Sequence, residues 1–187
     1  MQLYQLIIAS FSTYWIKFYF AATFARALDG TFLPCQLIYQ GKTAQCNPKF
    51  KFPNGFHITE SENHWANTRT MNDYIIPYVN KVKDDCYLPL GQHVLVIFDC
   101  FRGQITDEFT AKLSANQLIY ITMPPNCTDL LQPMDLSVNK SAKLFLKNEF
   151  ENGMRLRCNR WADIKEVKVD LSLSRMKPLG AKWIVKL

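Results

Sequence analysis

The sequence predicts an α/β domain in which helices flank a mixed β-sheet. Residues 93–98 form a short run that is apolar on both faces, as in a buried parallel strand, and Asp99 follows it directly. A helical pattern and a second apolar run complete a strand–helix–strand unit within residues 93–123. Upstream, the pair Asp29-Gly30 separates two strand-like segments and therefore indicates an antiparallel hairpin.

The first half of the chain supplies the hairpin and a helix. Residues 17–28 and 31–40 have the aromatic and β-branched side chains that strands favour, and Pro34 suits an edge or a bulge. Residues 41–63 predict a loop because proline, asparagine and glycine interrupt them repeatedly. Apolar residues then recur at helical spacing over 68–83, with Pro77 inside the pattern.

The second half predicts three more helices around one further strand. A helix over 106–116 starts with Thr106 as its cap and has two acidic residues in its first turn. Residues 118–123 predict a strand and residues 124–133 a loop. Residues 135–153 predict a long helix, with lysines on one side and apolar residues on another. A last helix is expected to start around residue 179.

Charge is distributed unevenly along the 187 residues. Residues 1–139 contain 10 Lys+Arg and 11 Asp+Glu, whereas residues 140–187 contain 12 and 5. A basic C-terminal part is typical of a protein that binds a polyanion. A solvated helix face has the same composition, so the charge pattern alone leaves both interpretations open.

The N-terminal segment, residues 1–16, is divergent and apolar. No basic stretch precedes it, as a signal peptide requires, and Lys17 interrupts the apolar run before it reaches the length of a membrane helix. We therefore expect no membrane insertion. Residues 3–16 are apolar and rich enough in β-formers to serve as a strand of the sheet.

A hairpin followed by a strand–helix–strand unit, with carboxylates at a strand end and at a later helix, is the order of an RNase H-like domain. From about Phe18 onward the chain resembles the DDE superfamily endonuclease domain of pogo/Tigger/jerky-type transposases. The matching segments include LVIFDCFRGQ, MPPNCTDLLQPMDLSVNK and LSRMKPLGAKWI. The resemblance implies an RNase H-like domain over 17–187, incomplete at both ends, with its first strand missing or replaced. It also implies descent from a mobile element and Mg²⁺-dependent cleavage and joining of DNA.

The resemblance also assigns the catalytic, metal-binding carboxylates. The second aspartate of the family falls on Asp99, and the third falls on Asp135, which could also cap the helix that follows it. The first belongs to the opening strand, but the sequence from Met1 to Leu28 contains no Asp or Glu. Asp29 is expected to face solvent in the hairpin turn. We therefore expect Mg²⁺ to be the ancestral cofactor and this chain to bind it poorly.

Nucleic-acid contacts are predicted at Arg102, just after the Asp99 strand, and at Lys140, Lys143 and Lys147, along one helix face. The sequence favours a nuclear, transposase-derived domain that binds DNA, takes no small-molecule substrate and does not cleave. Two alternatives remain open. The chain is an active endonuclease if it is part of a longer protein that carries the missing carboxylate, or it is a scaffold for protein interactions.

Overall fold

A computed structural model describes the backbone of residues 5–12, 20–89, 91–98, 106–122, 138–158 and 170–187. Side chains are described from residue 20 onward within these ranges, except for 154–158. The strands are β1 (Gln5–Ser12), β2 (Phe20–Ala27), β3 (Cys35–Gln40), β4 (Phe56–Ser61), β5 (Val94–Phe98) and β6 (Leu118–Thr122). The helices are α1 (Thr68–Asp85), α2 (Asp107–Ala115), α3 (Lys140–Cys158) and α4 (Leu173–Ile184).

The described strands form one sheet in the order β4-β3-β2-β1-β5-β6. Strand β2 pairs antiparallel with β1 and β3, whereas the pairs β3–β4, β1–β5 and β5–β6 are parallel. Five of these strands therefore run in one direction and only β2 runs in the other. The carboxyl ends of β1, β3, β4, β5 and β6 consequently lie along one edge of the sheet, which we call the carboxyl edge.

The N-terminal segment provides a central strand. Residues Leu6 to Ser12 pair with Ala27 to Ala21 of β2, and Gln5 to Ile8 pair with Leu95 to Phe98 of β5. Residues 5–12 thus fill the position between the hairpin and the parallel strands, as the apolar, β-rich composition of 3–16 predicted. This pairing satisfies backbone groups of β2 and β5 that an open sheet would leave unpaired.

Helices cover both faces of the sheet. On one face α1 and α2 pack their apolar side chains onto a core that includes Ile38, Val96 and Phe98. On the other face α3 and α4 cover a second core that includes Phe20, Leu37 and Tyr39. The protein is therefore a mixed α/β structure of three layers. None of the helices in the described ranges is both long and apolar enough to span a membrane.

Two of the predicted helix starts, those of α1 and α2, agree with the caps that form. Asn67 caps α1 in a capping box, in which its side chain accepts from the Thr70 amide and the Thr70 hydroxyl accepts from the Asn67 amide. The Thr106 hydroxyl accepts from the Phe109 amide at 3.3 Å, as predicted for α2. Pro77 lies inside α1, which continues to Asp85. Asp29 is exposed in its turn, where its carboxylate accepts from the Thr31 amide.

Several predicted boundaries were wrong, among them the start of β3, which begins at Cys35 and not at residue 31. Residues 56–61 form an edge strand, β4, rather than loop, because parallel pairing with β3 stabilises a segment whose flanks resemble a loop. The last helix begins at Leu173 instead of near residue 179, since packing of its buried face outweighs the hydrogen bond that Pro178 removes. Helix α3 extends to Cys158, beyond the predicted end at residue 153. The predicted loop over 124–133 lies outside the described residues.

Candidate nucleic-acid interface

The carboxyl edge brings the starts of two helices together beside strand β5. The Thr68 hydroxyl, in the first turn of α1, lies 2.9 Å from the hydroxyl of Thr106, the cap of α2. In open α/β sheets, ligands bind at this edge, where the carboxyl ends of strands and the amino ends of helices meet. The fold therefore places the end of β5 in the region where a site is expected.

Both flanks of the segment 99–105 are fixed by packing. Phe98, the last residue of β5, is 1% exposed, and its ring meets that of Phe109 in α2 at 5.6 Å, edge to face. The Thr68–Thr106 contact holds the start of α2 against α1. The described residues on either side of Asp99 and Arg102 in the sequence are therefore held by packing.

The predicted carboxylates themselves are not placed by the structure. Asp99, Asp135 and Arg102 lie outside the described residues. Within the described ranges, no group of three or more His, Cys, Asp or Glu side chains could hold a metal ion. The role of the two aspartates as metal ligands stays a prediction.

The predicted lysine stripe is present on helix α3. Lys140, Lys143 and Lys147 are exposed, while Ala142 and Leu146 of the same helix are buried in the core. The lysines therefore lie on the solvent side of an amphipathic helix, as their spacing predicted. Lys147 is within 3.9 Å of Glu151, but both side chains are largely exposed, so water screens this pair strongly.

A second basic feature was missed by sequence reasoning. Lys177 of α4 is only 7% exposed, and its Nζ donates to the carbonyl oxygens of Gln40 and Cys46 at 2.5 and 2.6 Å. Burial lowers the pKa of Lys177, because desolvation disfavours the charged ammonium. These contacts tie α4 to the carboxyl end of β3 and to the loop after it. No local signal in the sequence distinguishes Lys177 from an exposed lysine.

The model of the family described as DDE superfamily endonuclease matches residues 22–169. This chain belongs to the DDE superfamily endonuclease family. A human protein, "Pogo transposable element with ZNF domain", is 24% identical over 127 residues, which are 68% of this chain. The chain spans only 8% of the length of that relative, so the alignment concerns a small part of the longer protein. Membership in the DDE family agrees with the resemblance to pogo-type transposases that the sequence motifs indicated.

Proposed function

We propose that this DDE superfamily domain binds DNA in the nucleus and does not cleave it. The observation that carries the proposal is the composition of β1. This strand occupies the centre of the sheet between β2 and β5, and the sequence from Met1 to Leu28 has no acidic residue. The strand order and directions support an RNase H-like reading, in which the opening strand should contribute the first catalytic carboxylate.

The donor set does not fit a two-metal site. Two-metal phosphodiester chemistry holds the ions about 4 Å apart between shared ligands. Asp99 and Asp135 supply two carboxylates, and β1 supplies none. Since hard divalent cations such as Mg²⁺ depend on oxygen ligands, the loss of a carboxylate weakens the binding of the ions.

DNA binding is supported by the charge and position of α3. Three exposed lysines recur on one side of this helix, and the part of the chain from 140 onward carries 12 basic and 5 acidic residues. Such a surface neutralises phosphates and releases counterions, which makes the affinity strongly dependent on salt. A scaffold for protein interactions would not require this dependence.

Binding can be tested with a fluorescently labelled DNA duplex and anisotropy measurements over a range of salt concentrations. The double variant Lys140→Gln/Lys147→Gln should weaken binding and reduce the salt slope by about 1.8, at about 0.9 per phosphate contact. The matched control is Lys81→Gln/Lys112→Gln, which removes the same charge from exposed positions near the far ends of α1 and α2. Equal weakening in the two double variants would exclude α3 as the interface.

Cleavage can be tested by plasmid nicking in Mg²⁺ or Mn²⁺. The wild-type chain and its Asp99→Ala variant should both be inactive. A second variant tests whether the missing carboxylate on β1 causes this inactivity. Ile8 of β1 pairs with Phe98 of β5, so Ala9 is the next residue on β1, as Asp99 is the next residue after Phe98. Ala9→Asp should therefore be the best single substitution for restoring nicking. Wild-type nicking that disappears in Asp99→Ala would show that the domain is an active endonuclease.

A further inference from the structure

The loop between β3 and β4 is a second basic segment of the chain, distinct in sequence from α3. The sequence between Asp29 and Glu60 contains three lysines, Lys42, Lys49 and Lys51, and no acidic residue. Lys42 pairs with Glu62 at 3.4 Å, but this pair is largely exposed. Lys49 and Lys51 are also exposed, and neither forms an ion pair with a carboxylate in the described part of the chain.

A buried cation lies behind this loop. The ammonium of Lys177 contacts the Cys46 carbonyl, and no described carboxylate pairs with it. The pKa of the Cys46 thiol is lowered, first by the backbone amide of Thr43 and also by the charge of Lys177. The ammonium of Lys177 therefore contributes a positive charge directly behind the loop. An anion bound on the loop surface would offset the charge that the fold leaves uncompensated.

Phe50 stands between the two exposed lysines in the sequence. Its side chain is half-buried, and its ring meets Phe52 at 4.9 Å in an edge-to-face contact, rather than stacking face to face. The ring of Phe52 in turn contacts the rings of Phe56 and Tyr39, with centroid distances of 5.7 and 6.5 Å. The Phe50 ring is thus held by a chain of aromatic contacts that reaches the core.

The backbone of this loop is held in place as well. The Phe50 amide donates to the Pro48 carbonyl at 2.7 Å, and the Asn47 side chain donates to Glu60 of β4 at 3.2 Å. Lys177 fixes the earlier part of the loop through Cys46. A partner that binds here consequently meets an ordered surface, and little conformational entropy is lost when it binds.

We propose that residues 49–51 bind a single-stranded segment of DNA, with an unpaired base stacked on Phe50 and flanking phosphates at Lys49 and Lys51. Aromatic rings interleaved with cations bind single strands with little sequence preference, because every base offers a π-face. The inference rests on the proposed DNA-binding function and extends it. The loop starts at the carboxyl end of β3, on the same edge of the sheet as the end of β5.

The test uses the full chain, a labelled oligothymidylate of about 12 nucleotides and a duplex of the same length. Phe50→Leu keeps an apolar side chain against Phe52 and should weaken oligothymidylate binding about ten-fold, while duplex binding stays unchanged. Lys49→Gln/Lys51→Gln should reduce the salt slope for oligothymidylate by about 1.4. The control Lys81→Gln/Lys112→Gln should change neither quantity, and circular dichroism should confirm that every variant is folded.

The two proposals fail in different ways. If Phe50→Leu and Lys49→Gln/Lys51→Gln bind oligothymidylate as tightly as the wild type does, the loop is not the site. If the wild type binds the duplex through Lys140 and Lys147 but does not bind oligothymidylate, only the loop inference is overturned. If it binds oligothymidylate through the loop but not the duplex, the loop inference stands and the duplex interface on α3 is refuted.

Discussion

Gly153 of α3 and Gly180 of α4 lie in the helices that cover one face of the sheet. Replacing each by alanine should change the free energy of unfolding in opposite directions. A Cβ at Gly180 of α4 would lie 2.6 Å from Cε1 of Phe20, which is too close for any real contact. A Cβ at Gly153 of α3 would lie 3.4 Å from Cζ2 of Trp183, an ordinary van der Waals distance. The backbone benefit of alanine is the same at both sites, so the difference between the variants reports packing alone.

The magnitudes follow from these distances. Replacing glycine by alanine inside a helix stabilises it by about 0.5–1 kcal/mol. Gly153→Ala should show this gain. At Gly180 the added methyl group must displace Phe20, which is 2% exposed and packed against Tyr39 at a ring distance of 5.3 Å. Overpacking of a closed core costs about 1–3 kcal/mol, so after the backbone gain Gly180→Ala should be net destabilising by up to about 2.5 kcal/mol.

Urea denaturation followed by circular dichroism measures both effects. The midpoint should rise for Gly153→Ala and fall for Gly180→Ala, with the slope of the transition unchanged. Gly180→Ala/Phe20→Leu is the matched rescue, because a smaller side chain at position 20 makes room for the methyl group. If both single variants become more stable, or if the loss in the double variant equals the sum of the losses in Gly180→Ala and Phe20→Leu, the close contact between α4 and β2 is wrong.

Three further changes test the packing of α1. Burial lowers the pKa of His57, so the neutral imidazole contributes its full stabilisation above pH 6.5 and this stabilisation is lost as the pH falls below that value. The His57→Gln variant should therefore lose less stability than the wild type between pH 7.5 and 5, as measured by urea titration at each pH. Asn67→Ala removes the acceptor for the Thr70 amide and should lower the unfolding free energy by about 1 kcal/mol, whereas Asn67→Asp should retain the cap. Tyr74→Phe removes a 2.6 Å hydrogen bond to the Pro34 carbonyl and should cost about 1 kcal/mol by the same assay; an unchanged midpoint would place the hydroxyl in solvent.

The parts of the fold that local chemistry determines were predictable. The hairpin turn at Asp29, the caps at Asn67 and Thr106 and the buried strand β5 each have a signal within a few residues of sequence. Such signals act through the chain's own backbone, so they need no knowledge of distant contacts. The lysine stripe on α3 was predictable for the same reason, because helical spacing fixes which residues share a face.

Features that depend on distant contacts were not predictable in this way. Strand β4 forms because β3 lies beside it, whereas the proline, asparagine and glycine residues just before it indicate a loop. Lys177 is buried because carbonyl groups more than 130 residues earlier in the chain accept its hydrogen bonds. Periodicity and propensity describe one element at a time and so do not reveal either arrangement.

The central strand shows how the fold and the proposed loss of catalysis can be separated physically. Strand β1 stabilises the sheet through backbone hydrogen bonds to β2 and β5, and any sequence with sufficient strand propensity can form them. A catalytic carboxylate, by contrast, is a requirement on one side chain. Apolar residues can therefore replace the strand and keep the sheet, while one ligand of a metal centre is lost. The phosphate-binding surfaces proposed on α3 and on the loop over 49–51 lie outside β1, so the loss of that carboxylate leaves them intact. Duplex affinity should accordingly be the same in the wild type and in Asp99→Ala, and nicking is the measurement that separates a DNA-binding domain from an endonuclease.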